Sequence, residues 1–480
     1  MLKKTKILAT IGPASDSEEM MSAMVRAGCN AFRMNFSHGT HEYHEANLNK
    51  IRAVEKSLSV RIGVFQDISG PKIRVGKLEE NFKLKTGDKI TFLPREIIGK
   101  KTAEGEYELC INHPEILPLM KAGEFIYLYD GSIRAKVVAV SEQGVRAVLE
   151  NDGFLSSNKG VNFPNTRLNI DVITQKDLED LRWGAAHGVN FVGISFVQSQ
   201  NDILRVREIL NSLGSKAKIY AKIEKFDAVE NIEQIIEASD GIMVARGDLG
   251  IEMPFYEIPR IQKRIIALAN ARSKPVITAT QMMESMIEAP VPTRAEISDV
   301  ANAVLDGTDA VMLSAETATG KYPVETVTAM AAACAEADRA DRSHTLDAAF
   351  LDRTFTRIDQ SIAMAALFAA HHMRASAIVS LTQSGSTALW VTRIDSGIPV
   401  YALTPEESSR RRMTLFRECH PVAMQYRSYD MPAVLADVER LMLENGLVKN
   451  GDLVVITVGE PVGKSGGTNN LKIIRIGSHS

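Results

Sequence analysis

The sequence predicts an α/β protein built on a parallel (β/α)8 barrel, with an inserted small β-domain as a lid and a C-terminal α/β domain. Short β-branched runs alternate with helical stretches in two separate parts of the chain. Between those parts the pattern changes to short alternating runs, and a further α/β pattern starts near residue 354. At 480 residues the chain is also too long for one hydrophobic core, so we expect roughly three domains.

The barrel is predicted from eight strand candidates separated by sequence that can form helices. These strands are 6–10, 30–35, 61–68, 189–195, 218–224, 241–245, 275–280 and 309–314. The helix at 174–187 has a clear start, because Thr174 can cap it and Asp177 can complete a capping box. Eight strand–helix units favour a closed barrel, although periodicity alone leaves an open, doubly wound sheet as the alternative.

The lid is predicted from alternating runs at 89–92, 125–129 and 135–140, which are separated by turn sequences. They indicate a small antiparallel β-domain inserted after the third strand, over the barrel mouth, where a mobile lid is useful. We assign residues 1–69 and 170–345 to the barrel, 70–169 to the lid and 346–480 to the C-terminal domain.

Composition and charge exclude several classes of protein. Hydrophobic residues make up 45% and charged residues 24%, as in folded globular proteins. Lys plus Arg is 56 and Asp plus Glu is 59, so the net charge of −3 offers no footprint for nucleic acid. The apolar run near the start is too short for a signal peptide or a membrane span. Four cysteines without metal-ligand spacing favour reduced, buried thiols in a cytoplasmic protein.

The strand ends carry the most informative side chains, because barrel enzymes place their active sites there. After the second strand, Arg33 can grip a phosphate in a bidentate fork, and Asn35 and Ser37 offer neutral oxygens. After the third strand, Asp67 precedes a rigid turn with two bases at 70–74. Each segment alone is equally compatible with a polar strand end or with a hinge that carries solvated charges.

The fifth and sixth strands add an ammonium group and two carboxylates. Alternation places Lys222 and Glu224 on one face of the fifth strand, pointing into the mouth. Glu224 and Asp248 can hold Mg²⁺, which takes few carboxylates and leaves positions for substrate oxygens. Backbone amides around Gly247 can bind a carboxylate, and Thr280 offers a hydroxyl after the seventh strand. Taken singly, these features also fit a structural ion pair and a tight turn, but the whole set suits phosphoryl transfer.

Seven segments in chain order resemble the pyruvate kinase family. They are Arg-Met-Asn-Phe-Ser-His-Gly at 33–39, Gly-Pro-Lys-Ile-Arg at 70–74, Asn-Lys-Gly-Val-Asn at 158–162, Lys-Ile-Glu at 222–224, Ala-Arg-Gly-Asp-Leu-Gly at 245–250, Ala-Thr-Gln-Met-Met-Glu-Ser-Met at 279–286 and Asp-Val-Ala-Asn-Ala-Val-Leu-Asp-Gly at 299–307. They span the barrel and the lid, and the C-terminal region fits the family's effector domain. The resemblance implies transfer of the phosphoryl group of phosphoenolpyruvate to ADP, giving pyruvate and ATP in the last step of glycolysis.

The resemblance also implies roles for single residues. Arg33 is expected to bind the transferring phosphate, and Lys222 to stabilise the enolate of pyruvate. Gly247, Asp248 and Thr280 are expected to bind the substrate, with Thr280 near the carbon that is protonated. The implied ligands of Mg²⁺ or Mn²⁺ are Glu224 and Asp248. The implied nucleotide-binding residues are Arg74, Lys159, Asn35 and His38, of which Lys159 is indicated by the resemblance alone.

One departure concerns the monovalent cation that many family members hold with Asn, Ser, Asp and Thr oxygens beside a glutamate. Asn35, Ser37 and Asp67 are present, but Ile68 replaces the threonine and Lys72 replaces the glutamate. A lysine ammonium can supply the positive charge that potassium otherwise provides. We therefore expect a vestigial cation site and activity that does not require K⁺.

The C-terminal loop 382–387 offers hydroxyls and amides before a helix, as a phosphate-binding loop does. In the family this loop binds a sugar-phosphate activator, which implies an effector site made of Thr382, Ser384, Gly385, Ser386 and Thr387. The stretch 463–469 either closes over the same ligand or is a flexible surface hairpin. Effector response implies an oligomer, and the family is typically tetrameric, so we expect a homotetramer.

Two other functions compete with this prediction. A lyase acting on phosphoenolpyruvate or an oxoacid would share Arg33 and the metal carboxylates, but it would need neither the lid nor Lys159. Formation of ATP from phosphoenolpyruvate and ADP separates the two. A catalytically inactive sensor of a sugar phosphate would have lost part of its catalytic set, whereas these positions are intact.

Overall fold

The computed structural model describes residues 3–168, 170–339, 354–464 and 466–477. The first elements are β1 (Lys6–Thr10), α1 (Glu18–Ala27), β2 (Ala31–Asn35), α2 (His41–Leu58) and β3 (Gly63–Asp67). Both helices begin at a hydroxyl cap, because Ser17 accepts from the Met20 amide and Thr40 accepts from the Tyr43 amide. Every residue of β1 and β3 is buried, as expected for strands of a parallel barrel covered by helices.

The inserted region forms a β-domain with its own core. Its strands are β4 (Phe82–Leu84), β5 (Lys89–Phe92), β6 (Lys100–Lys101), β7 (Tyr107–Leu109), β8 (Phe125–Leu128), β9 (Ile133–Ser141), β10 (Gly144–Leu149), β11 (Gly153–Leu155) and β12 (Val161–Asn162). The main sheet has the order β12-β8-β9-β10-β5-β7-β6, and β11 pairs with β4. The prediction of a purely antiparallel domain is wrong at one place. Strands β5 and β7 pair in parallel, because the chain between them is long enough for a crossover.

The chain then returns to the barrel and completes it. The elements are α3 (Gln175–Ala186), β13 (Phe191–Ile194), α4 (Gln200–Ser212), β14 (Lys218–Ile223), α5 (Phe226–Glu230), α6 (Ile232–Ala238), β15 (Gly241–Ala245), α7 (Arg246–Glu252), α8 (Ile258–Ala271), β16 (Val276–Ala279), α9 (Arg294–Asp306), β17 (Ala310–Leu313), α10 (Ala315–Ala318) and α11 (Pro323–Ala337). The capping box of Thr174 and Asp177 at the start of α3 is confirmed.

The eight parallel strands close in the order β1-β17-β16-β15-β14-β13-β3-β2. The closed barrel is therefore confirmed and the open, doubly wound sheet is excluded. Each observed strand agrees with its predicted range to within two residues at either end. Large buried side chains such as Phe65, Phe191 and Tyr220 fill the barrel interior, so the fold is a packed core and not a pore.

The C-terminal region is a separate α/β layer. It contains α12 (Ile358–His372), β18 (Ala377–Leu381), α13 (Ser386–Val391), β19 (Val400–Thr404), α14 (Glu407–Arg412), β20 (Cys419–Ala423), α15 (Met431–Glu444), β21 (Leu453–Gly459) and β22 (Thr468–Arg475). The sheet order is β20-β19-β18-β21-β22, with only the β21–β22 pair antiparallel among the described strands of this sheet. The predicted boundary between residues 345 and 346 and the predicted lid end at residue 169 lie outside the described residues. The domain division stays a prediction.

A buried ion pair joins this layer to the N-terminal end of the barrel. Arg393, just after α13, donates through Nη1 to Asp309 Oδ2 over 2.9 Å, just before β17. Both side chains are at most 2% exposed. The four cysteines are free and buried, as predicted. Over the described ranges, the structure has no helix with the length and apolar character that crossing a membrane requires.

Candidate active site

The C-terminal ends of β2, β3 and β14 bring three predicted site residues into contact. Arg33 Nε donates to Asp67 Oδ2 over 2.6 Å, and Arg33 Nη1 donates to Thr10 Oγ1 over 3.1 Å. Lys222 Nζ lies 3.1 Å from Asp67 Oδ1. Each oxygen of the buried Asp67 carboxylate therefore faces one cation. Burial opposes the charge of Asp67, but the charges of Lys222 and Arg33 outweigh it and lower the pKa of Asp67.

Lys222 is held at a fixed point in the barrel mouth. Its Nζ donates to Ser195 Oγ over 2.7 Å and lies 2.9 Å from Glu224 Oε1, and the side chain is 12% exposed. Burial alone would lower the pKa of Lys222, but the adjacent charges of Asp67 and Glu224 outweigh burial and raise it. The ammonium group therefore stays charged, and its partners orient it before any ligand binds.

Glu224 and Asp248 form the predicted carboxylate pair. Glu224 Oε2 accepts from the Phe196 amide over 2.8 Å. Burial and the negative charge of Asp248 together raise the pKa of Glu224 to about 7, although the charge of Lys222 opposes both effects. Asp248 lies in the first turn of α7 and lines a cavity of about 600 Å³ that is also lined by Lys72 and Asp130. The two carboxylates therefore repel each other, and one of them, Asp248, borders a cavity large enough for a substrate.

This donor set fits a divalent ion. The structure's described ranges contain no group of three or more His, Cys, Asp or Glu side chains that could hold a metal. Mg²⁺ binds through one or two carboxylates and completes its octahedron with water and substrate oxygens. A divalent ion between Glu224 and Asp248 would relieve the repulsion that raises the pKa of Glu224.

The turn after β16 is strained and braced. Thr280 has φ +67° and Gln281 has φ +53°, and such a left-handed conformation of a β-branched residue costs about 1–3 kcal/mol. Arg246 Nη2 donates to the Thr280 carbonyl over 2.7 Å and to the Gln281 carbonyl over 3.2 Å. The Gly247 amide donates to Thr280 Oγ1 over 2.7 Å, and this hydroxyl donates to the Ala279 carbonyl. Gly247 and Thr280 are thus in direct contact, at the N-terminus of α7.

The predicted nucleotide-binding residues fall into two groups. On the lid, Arg74 Nη1 donates to the Asn158 carbonyl over 3.0 Å, and Lys159 Nζ lies 4.2 Å from the centre of the Tyr129 ring. At the end of β2, Asn35 Oδ1 accepts from the Ser37 amide, and the carbonyl of the exposed His38 bonds to His44. The neighbouring Arg74 and Lys159 segments are joined by a bridge between Arg74 and Gly160.

Lys72, which is predicted to supply the charge of a monovalent cation, contacts the lid. Lys72 Nζ lies 3.5 Å from Asp130 Oδ1 of the lid, and its side chain is 37% exposed. Ile68 is buried and offers no side-chain oxygen, while its carbonyl accepts from Ser195 Oγ over 2.8 Å. Both Asp67 oxygens face Arg33 and Lys222, as described above.

The predicted effector loop surrounds a small cavity. Gly385 has φ +89°, which suits glycine, and its amide donates to Thr382 Oγ1 over 2.9 Å. Thr387 Oγ1 bonds to Thr468 Oγ1 over 2.7 Å, so the loop is tied to the stretch 463–469. Ser384 and Ser386 line the same cavity as Lys464. Ser465 in that stretch lies outside the described residues.

Two functional residues were missed by reasoning from the residues alone. Ser195 links Lys222 to Ile68, where the chain leaves β3 towards the lid. Its hydroxyl accepts from the Lys222 ammonium and donates to the Ile68 carbonyl. It ends a predicted strand, so the rule that polar strand ends carry function could have found it. Arg246 lies in the segment 245–250, but no role is predicted for it from the sequence, because its bonds to the Thr280 carbonyl cannot be read from residue spacing.

The fold and the mouth together define a barrel enzyme that handles an anionic substrate beside a divalent ion. Comparison with protein families matches residues 2–327 to the pyruvate kinase barrel domain and residues 360–474 to the pyruvate kinase alpha/beta domain. The pyruvate kinase of Clostridium acetobutylicum is 39% identical over 475 residues, covering 98% of this chain and 99% of that protein. The pyruvate kinase of Staphylococcus aureus is 39% identical over 483 residues, covering 99% and 81%.

Among solved structures, a pyruvate kinase from Cryptosporidium parvum superposes with a TM-score of 0.93 at 32% identity, covering 99% of this chain and 96% of that one. The chain belongs to the pyruvate kinase family. The predicted family and its enzyme class, a phosphotransferase, are thereby confirmed. The family is generally dependent on a divalent metal, which agrees with the carboxylate pair at the mouth.

Proposed function

We propose that the chain transfers the phosphoryl group of phosphoenolpyruvate to ADP at the barrel mouth, with Lys222 as the central catalytic residue. The observation that carries this proposal is the buried ammonium of Lys222, fixed by Asp67, Glu224 and Ser195. A preorganised charge of this kind stabilises the enolate oxygen that develops when the phosphoryl group leaves. Arg33 would hold the transferring phosphate in a bidentate fork.

The substrate's carboxylate end would lie at the N-terminus of α7. The Gly247 amide and the Thr280 hydroxyl already contact each other there, over 2.7 Å. A bound carboxylate would accept from both groups in place of that mutual bond. The same hydroxyl would relay a proton to the methylene carbon of the enolate. The strained turn held by Arg246 fixes its direction.

Glu224 and Asp248 would hold Mg²⁺ or Mn²⁺. When bound, this ion neutralises charge on the phosphate and polarises the substrate oxygens. The nucleotide would lie between the lid and the end of β2, with Arg74 and Lys159 on its phosphates and Asn35 and His38 on the barrel side. A coupled assay of pyruvate formation from phosphoenolpyruvate, ADP and Mg²⁺ tests the reaction. Folded protein that forms no ATP would refute the proposed function.

Activity is proposed to be independent of K⁺. Support comes from Asp67, whose two oxygens face Arg33 and Lys222 and leave little room for a further cation. The apolar Ile68 and the cationic Lys72 also support K⁺ independence, because neither side chain offers a favourable contact to a monovalent cation. In buffer free of K⁺ and Na⁺, turnover should stay within about twofold of the value with K⁺. Complete loss of turnover without K⁺ would refute this reading, and Lys72→Glu should make turnover K⁺-responsive.

The C-terminal loop formed by Thr382, Ser384, Gly385, Ser386 and Thr387 is proposed to bind a sugar-phosphate activator in a homotetramer that works in the cytoplasm. Support comes from the hydroxyl-rich cavity beside Lys464, and free buried thiols suit a reducing compartment. Activation by a panel of sugar phosphates, lost in Ser384→Ala and Lys464→Ala, tests the site. Light scattering tests the tetramer. If no member of the panel activates the enzyme, the effector proposal is refuted, whereas the catalytic proposal is unaffected.

A further inference from the structure

Glu252 is a buried carboxylate at which the lid and two parts of the barrel meet. Its side chain is 3% exposed. On the lid side, Asn162 Nδ2 in β12 donates to Glu252 Oε1 over 3.2 Å. On the barrel side, Lys225 Nζ lies 3.7 Å from Glu252 Oε2, and Lys225 directly follows Glu224 in the chain. One carboxylate thus contacts the lid and the segment that carries a proposed metal ligand.

Helix α7 connects Glu252 with the second proposed metal ligand. Asp248 lies in the first turn of this helix and Glu252 is its last residue. A helix of seven residues is only about 10 Å long, and a helix this short moves as one body. The lid also approaches this end of the helix at Gly131. A Cβ added at Gly131 would lie 3.4 Å from the side chain of Ile251 in α7. A displacement of the lid is therefore transmitted to the start of α7.

The contacts of Glu252 differ from ordinary surface contacts because they are buried. An exposed ion pair of the lid joins Lys85, 70% exposed, to Asp152, 56% exposed. Exposed pairs of that kind contribute about 0–1 kcal/mol and couple little. Burying Glu252 and Lys225 costs desolvation energy that their interaction at 3.7 Å repays only in part. A small cavity of about 30 Å³, lined by Asn162, Lys225, Asp248 and Glu252, connects the cluster to the metal carboxylate.

We propose that Glu252 is a positioning residue that couples lid closure to the placement of Glu224 and Asp248 around the divalent ion. When Asn162 is engaged, α7 and the Glu224 segment are held in the geometry that both ligands need. When the lid swings away, Glu252 loses its lid partner and the two ligands are less constrained. The inference rests on the proposed function only for the assignment of Glu224 and Asp248 as ligands.

The test reads the coupling directly, without relying on turnover. Mn²⁺ binding is measured by the paramagnetic resonance of free Mn²⁺, and lid protection by hydrogen exchange of the amides around Asn162, with and without Mn²⁺. In the wild type, Mn²⁺ should slow exchange in β12 by about fivefold or more, the low end of typical coupling between sites. In Glu252→Ala and in Asn162→Ala, each of which removes one side of the Asn162–Glu252 hydrogen bond, this slowing should disappear. Both variants should still bind Mn²⁺, more weakly than the wild type.

The double variant and a matched control complete the design. Glu252→Ala with Asn162→Ala should show the same lost exchange response as either single variant, because each substitution removes the Asn162–Glu252 contact. Lys85→Gln, which removes an exposed ion pair with Asp152 within the lid, should keep the wild-type response. Wild-type enzyme whose lid ignores Mn²⁺, or single variants that retain the full response, would overturn the proposal. Absence of turnover in wild-type enzyme would instead count against the proposed function, since the binding and exchange readouts do not depend on it.

Discussion

Replacement of Lys222 by methionine separates catalysis from metal binding. Methionine keeps most of the side-chain length but removes the ammonium that contacts Asp67, Glu224 and Ser195. Because the group is preorganised and 12% exposed, its loss resembles removal of one oxyanion-stabilising donor. Such a loss costs about 2.7–4 kcal/mol, or 10²–10³ in kcat. We expect kcat to fall by at least about a hundredfold on this basis.

The same variant should retain the fold and the metal. Asp67 keeps Arg33 as a partner at 2.6 Å, so the carboxylate is not left alone in the core. Glu224 loses a neighbouring cation at 2.9 Å, which makes the carboxylate pair more negative. Mn²⁺ should therefore bind Lys222→Met at least as tightly as it binds the wild type, because a repulsive charge has been removed.

The assays are coupled pyruvate formation and Mn²⁺ binding, with circular dichroism as the check on folding. Lys222→Arg serves as the control that keeps the charge but changes its position. Turnover above about a tenth of the wild-type value in the methionine variant would refute the assigned role, since the expected loss is far larger. Loss of Mn²⁺ binding together with turnover would show that Lys222 supports the metal site instead of the enolate.

Three further predictions concern neighbouring features. Ser195→Ala removes the acceptor that orients Lys222, so steady-state kinetics should show kcat reduced about tenfold, the value of one hydrogen bond, with little change in KM. Arg393→Met leaves Asp309 buried with two backbone amide donors but without its cationic partner, and should lower the free energy of unfolding in urea by about 3–5 kcal/mol, with kcat retained. Burial raises the pKa of Glu418 from 4.5 to about 7, so the folded protein holds a proton that the unfolded chain releases. Wild-type Tm should fall between about pH 5 and 7, and Glu418→Gln should reduce that fall.

The barrel and most of its mouth could be predicted from the sequence. The pattern of strands shows which residues lie at the C-terminal strand ends, and these ends together form the barrel mouth. Alternation placed Lys222 and Glu224 on one face of a strand, and their side chains lie 2.9 Å apart. The third-strand carboxylate was also identified, although its two cationic partners come from β2 and β14 and could not be paired from the sequence. The strand ends are local features, whereas the pairing depends on barrel closure.

The missed features depend on tertiary contacts. The left-handed backbone at Thr280 contradicts the local preference of a β-branched residue and persists because Arg246 holds two carbonyl groups there. The parallel pairing of β5 with β7 depends on how a long connection crosses the sheet. Likewise, the contact of the Lys72 ammonium with Asp130 of the lid, 3.5 Å away, depends on how the lid folds and is not visible in a motif.

The charges at the mouth favour Glu224 and Asp248 over Asp67 as the proposed ligands of the divalent ion. Asp67 is the most fully compensated of the three carboxylates, with Arg33 on one oxygen and Lys222 on the other. Its lowered pKa reflects that compensation, and a metal there would have to displace a cation from a buried site. Glu224 has Lys222 as its cation, and burial together with the negative charge of Asp248 raises its pKa to about 7. A divalent ion gains most where negative charge is least compensated, and that place also borders the substrate cavity.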